Sequence, residues 1–167
     1  MIATAIEFVL TNIPVVMFIL ALAVAALTKG FPSTAERYLA WMLLLSIGVE
    51  SVWGGMFHVF FPDIASAQIG WQPSPFEYEV GVSDIGLGIA AIASFWRSLS
   101  FKSAIATVTT LFFAGVAIGH FYQAFANHDY SPDNFGIMLV ITLLQMVLLP
   151  ILVWASWHAR EETTRRA

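Results

Sequence analysis

Cysteine is absent from the 167-residue chain. That excludes disulfides, thiolate nucleophiles and Cys-ligated zinc or iron–sulfur centres. Charge is scarce too: Asp, Glu, Lys and Arg make up 11% of the residues, against about 25% in a soluble domain. The net charge of -4, with seven Lys and Arg, leaves no basic footprint for a nucleic acid. Met1 to Glu7 lacks the basic stretch of a secretory signal, so the first apolar segment is expected to be retained. No internal repeat, heptad or low-complexity tract stands out.

What fills the chain instead is hydrophobic sequence, 59% of the residues. A helix needs roughly 20 apolar residues to cross a bilayer, which leaves room for about five spans. The runs lie at about Thr4 to Thr28, Ala35 to Phe61, Phe76 to Trp96, Ser103 to Asn127 and Asn134 to Trp157. Breakers separate them, from Lys29-Gly30-Phe31-Pro32 to the acidic turn with Pro132. Residues 62–75 read as a loop on or in the membrane surface. The expected fold is all-α: one membrane bundle of about five transmembrane helices over residues 1–158, with a polar, frayed tail from 159 to 167.

Basic residues favour the cytoplasmic side. Lys29, Arg37, Arg97, Lys102, Arg160, Arg165 and Arg166 all fall on one face of a five-span arrangement. Glu7, Asp63, Glu77, Glu79, Asp129 and Asp133 fall on the other. The pattern predicts an N-terminus outside and a C-terminus in the cytoplasm. Adding or removing one span would scatter the cations over both faces. The expected surroundings are lipid bilayer, with a homo-oligomer permitted by the small-residue stripes Gly86, Ala90, Ser94 and Gly115, Gly119, which suit close helix packing.

Ionisable groups in lipid are expensive and mark function by default. Counting about 1.5 Å per residue from the outer ends, His58 and Glu79 lie roughly 5 Å deep and His120 about 10 Å. Asp84 comes to about 13 Å and Glu50 to about 16 Å, with Gln145 level with Glu50. The inner half offers almost nothing polar at depth. The expected site is therefore a polar pocket near the outer face, walled by Glu50, His58, Glu79, Asp84 and His120. Trp53, Trp71, Gln72, Gln123 and Gln145 would line it. Imidazole with carboxylate suits a divalent transition metal, which is the leading expectation for this site. Haem between His58 and His120 fits a carboxylate-rich pocket less well. The alternatives are proton or cation transfer across the membrane, and a structural or assembly subunit. Whether the chain is an enzyme is not decided by these residues.

The stretch Gly70-Trp71-Gln72-Pro73-Ser74-Pro75-Phe76-Glu77-Tyr78-Glu79-Val80-Gly81 resembles the signature of a bacterial family of small multi-pass membrane proteins, marked by Ser-Pro-Phe followed by Glu-Val-Gly. That family is functionally uncharacterised, so the resemblance implies a bacterial inner-membrane location and no activity. Physically, the prolines fix the start of a helix, Ser74 is placed to cap it and Glu77 and Glu79 suit its dipole.

Overall fold

The computed structural model describes residues 12–166. The N-terminal part of the first expected span, Glu7 included, lies outside the described residues, as does Ala167.

Helices account for all the regular structure among the described residues. In chain order they are α1 (Ile13–Leu27), α2 (Thr34–Trp41), a π-helix π1 (Met42–Val49), α3 (Glu50–Phe60), α4 (Pro62–Ile69), α5 (Phe76–Ser94), α6 (Leu99–Asn127) and α7 (Ile137–Arg166). α2, π1 and α3 run on as one rod of 27 residues. That rod, α6 and α7 are long and apolar enough to cross a membrane. α1 is apolar but has only 15 described residues, and the 19-residue α5 carries three acids.

Local chemistry sets the boundaries. Ser33 accepts from the Glu36 N–H at 3.1 Å and opens α2, and Ser98 does the same for α6 through Phe101; both are N-caps. Residues 62–69 form a helix where the sequence reads as a loop. Pro62 occupies its first turn, where a missing N–H costs nothing. Gly70, at φ 83°, closes it in the left-handed conformation, and the Trp71 N–H reaches back to Ser66 O at 2.9 Å. The tail also differs from expectation: α7 continues to Arg166, with the Thr163 and Thr164 hydroxyls bonded one turn back.

Successive rods alternate in direction, as their end contacts show. At one end the Trp41 indole N–H donates to Thr28 Oγ1 at 2.9 Å, and Trp41 and Phe31 both meet Phe95. At the other end the segment after α4 meets the α6–α7 turn. α3 and π1 pack on α5, α6 packs on α7, and α2 joins α7. Phe18, Leu39, Met42, Leu43, Ile47, Leu99, Phe113 and Leu149 are buried between them.

Glycine makes the α3–α5 contact. A Cβ on Gly55 would stand 2.6 Å from Gly81 O, and one on Gly88 would stand 2.8 Å from Gly48 O. The predicted stripes behave otherwise. Gly86, Gly115 and Gly119 face open space, so among the described residues they hold no helices together. The glycines that matter lie at 48, 55, 81 and 88, where the two backbones cross.

Candidate functional site

The polar groups of the core gather around Gln145, which is fully buried on α7. Its Nε2 donates toward Glu50 Oε2 at 2.7 Å, Ser46 Oγ at 2.9 Å and Ser46 O at 3.1 Å. Ser46 belongs to π1, whose wide turns place it one turn before Glu50 on the same rod. Long π segments are uncommon and concentrate at functional sites. Asp84, on the facing side of α5, is close enough to act electrostatically on Glu50. The two carboxyls sit at one level because Gly48 and Gly88, and Gly55 and Gly81, let the backbones meet.

Two turns further along α3, the same seam carries His58 and Glu77. Gly81 lies against the His58 Cβ, and Glu77 is one turn before Gly81. Ser66 on α4 hydrogen-bonds both Pro62 O and the Glu77 carboxylate. His58 Nδ1 and Glu77 Oε2 are buried and have no hydrogen-bond partner among the described residues. A polar track thus runs along the α3–α5 seam, from Ser66, Glu77 and His58 to Asp84, Glu50 and Gln145.

His120 belongs to a separate group at the end of the bundle where the α6–α7 turn lies. Its Nδ1 lies 2.6 Å from Asn134 Oδ1, and Asn134 Nδ2 donates to Asp129 O at 2.6 Å. Because the Asn134 amide is oriented by that second bond, His120 Nδ1 is the donor. Trp71 stacks on the imidazole, with centroids 5.8 Å apart and planes 28° apart. Asp129 Oδ1 accepts from the Ser131 hydroxyl at 2.6 Å and the Ser131 N–H at 3.0 Å. These bonds hold the Asp129 carboxyl below its ordinary range, whereas burial pushes Asp133 up. Gly70 leaves room for Asp129 and Ser131: a Cβ there would come within 2.3 Å of the Ser131 hydroxyl. The strap from Gly70 to Pro75 is thereby tied across this end of the bundle, and Trp71 covers His120 as a lid.

The single five-residue set expected from the sequence is therefore divided. Glu50 is bonded to Gln145, Asp84 is near enough to act electrostatically on Glu50, and His58 lies further along α3 with Glu77. His120 is bound to Asn134. Glu79 and Gln72 are exposed; on α5 the residues packed against π1 and α3 are Gly81, Ile85, Gly88 and Ile92. Gln123 bonds the Asn127 side chain, and Trp53 packs on Phe57 at 5.2 Å. Among the described residues no three His, Cys, Asp or Glu side chains gather as a metal site requires. The expected divalent-metal ligand set finds no support in this geometry.

Several groups that complete the picture were not expected. Ser46 is a lone polar residue in an apolar run, one turn before Glu50, and that spacing is a readable signal. Glu77 shares a helix face with Asp84 seven residues on. Asn134 gave no signal. The opposite end of the bundle is polar as well. Glu36 is buried, with Arg160 donating to it from Nη2 at 2.9 and 3.0 Å and from Nε at 3.2 Å. Lys102 Nζ stands 3.8 Å from the same carboxylate. Arg160 is thus a structural partner and not part of a solvated face.

The chain matches, over residues 11–162, a family described as a family of unknown function (DUF6790). It belongs to that family. No curated protein and no solved structure matches it.

Proposed function

Starting from that membership, we propose that this protein moves a proton or small cation, with Glu50 as the group that takes it up. The proposed setting is five spans in a bacterial cytoplasmic membrane, N-terminus outside and C-terminus inside. Its support is the split of basic and acidic residues and the meeting of Lys102, Arg160, Trp41 and Phe95 at one end. The observation that carries the reading is the buried bond from Gln145 to Glu50, with Asp84 alongside.

A buried carboxylate costs several kcal/mol and persists where it has work to do. A purely architectural role would need only a neutral amide pair. Two carboxyls, with His58 and Glu77 two turns further along the same helix pair, provide successive stations for a positive charge. Glu77 to Asp84 is a step of about 10 Å along the helix, and π1 lies next to the innermost station. The Trp71 strap and the Glu36 cluster close the two ends.

The test is flux in proteoliposomes that carry a pH-sensitive dye inside. With wild-type protein an imposed gradient should collapse faster than in empty vesicles. Glu50→Gln, which keeps shape and a hydrogen bond to Gln145, should reduce the rate to that of empty vesicles. Equal rates for Glu50→Gln and wild type would overturn the reading and leave the architectural role.

A further inference from the structure

The end of the bundle that holds Glu36 carries unbalanced positive charge. One carboxylate, Glu36, stands against two cations, Arg160 and Lys102. The Lys102 ammonium also donates to the Arg97 carbonyl, which brings Arg97 to the edge of the same cluster. The Arg97 side chain is exposed and, among the described residues, pairs with no carboxylate. None is near in sequence either: from Ile85 to Asn127 the chain has no Asp or Glu. Ser98 follows as the N-cap of α6, whose positive end adds to the charge. Arg97 also closes one end of a cleft of about 530 Å³, walled by Ile89, Ile92, Ala93 and Trp96. Ile92 fixes one wall, because it is packed against Gly48 of π1. Ile89 and Trp96 are exposed. From Ile89 to Arg97 the helical rise is about 12 Å, most of one leaflet of about 15 Å.

We propose that this cleft binds one acidic phospholipid, with an acyl chain along Ile89 and Ala93, the glycerol at Trp96 and the phosphate on the Arg97 guanidinium. The inference does not depend on the reading of Glu50. Apolar walls that lead to a Trp and then to a cation repeat the order of a lipid molecule: chain, interface, headgroup phosphate. A guanidinium meets a phosphate through two parallel N–H bonds. Charge selects the headgroup. A zwitterionic lipid would bring its ammonium among Arg97 and Lys102, and the carboxylate beside them, Glu36, is buried and already shared by two cations. An acidic lipid adds no second cation and offsets the excess.

The full-length protein is reconstituted in phosphatidylcholine vesicles doped with a few mole per cent of brominated phosphatidylglycerol or brominated phosphatidylcholine. Bromine quenches tryptophan on contact, and the Trp96 signal is the difference between each protein and its Trp96→Phe counterpart. Brominated phosphatidylglycerol should quench Trp96 in a saturable way and about fivefold more effectively than brominated phosphatidylcholine, the factor that one basic residue contributes near an acidic lipid. Arg97→Gln should bring the two lipids level. Arg97→Lys, which keeps the charge and loses the two-pronged contact, should retain part of the preference. Both side chains are exposed at a turn, so these variants leave the packed core untouched. Equal quenching by the two lipids in the wild type, or a preference that persists undiminished in Arg97→Gln, would overturn the inference and leave the cleft to bulk lipid or a second copy of the chain.

Discussion

Removing the Glu36 carboxylate should cost this protein about 3 kcal/mol, most of it through Lys102. The side chains of Lys102 and Glu36 are each 4% exposed, whereas that of Arg160 is 39% exposed. In Glu36→Ala, Arg160 swings toward water and loses little. Lys102 cannot follow: its stem lies among α2, α6 and α7, and its remaining partner is the Arg97 carbonyl. Breaking a buried ion pair by removing one partner costs about 3–5 kcal/mol. The retained carbonyl bond places Lys102 near the lower end. Arg160→Ala leaves Glu36 paired with Lys102 and should cost about 1 kcal/mol, since an exposed partner contributes little. Glu36→Ala with Lys102→Met removes both buried charges and should recover most of the loss. Unfolding of the purified protein in mixed micelles, followed by tryptophan emission against denaturant fraction, measures all three variants against wild type. A Glu36→Ala variant as stable as wild type, or a double variant no better than the single, would refute the reasoning.

Gly55→Ala puts a methyl against the Gly81 carbonyl and should destabilise by about 2 kcal/mol through forced separation of α3 and α5. Gly86→Ala meets nothing and should stabilise by about 0.5 kcal/mol through helix propensity; the same unfolding measurement compares them. The outer strap should respond to acid. Asp129 is held below the ordinary carboxylate range by Ser131, so its contribution is present above that range and is lost as pH falls through its lowered value. Iodide quenching of Trp71 should therefore rise on strong acidification, and Asp129→Asn should show raised quenching already at neutral pH. A wild-type quenching curve flat with pH would count against the latch.

Much of the helix arrangement is legible in the sequence because apolar runs and breakers act locally. Ser33, Pro62 and Gly70 mark boundaries through their own backbone chemistry, although the helix between Pro62 and Gly70 is too short and mixed to read from hydropathy. Glu50, Asp84 and Gln145 are legible as a level because rise per residue is fixed. Their separation from His120 is not, since depth says nothing of azimuth around the bundle. Glu79 was expected in the site and Glu77 was left out for the same reason. Which of two acids on a helix turns inward depends on where glycines let the neighbour approach. The inner ion cluster was hidden because Glu36, Lys102 and Arg160 are 124 residues apart end to end, and each by itself reads as an ordinary interfacial charge.

The π-helix has a consequence for how the chain tolerates insertion and deletion. Met42–Val49 winds more residues into each turn than the α-helices on either side of it. Deleting one residue within it lets the wide turns tighten toward α geometry and take up most of the change, whereas deleting one from α2 would rotate everything after it by about 100°. Gly55 would leave Gly81, His58 would leave Glu77, and Glu50 would turn from Gln145. A one-residue length change is ordinarily silent for a membrane helix; in α2 it would dismantle the polar seam at a stroke.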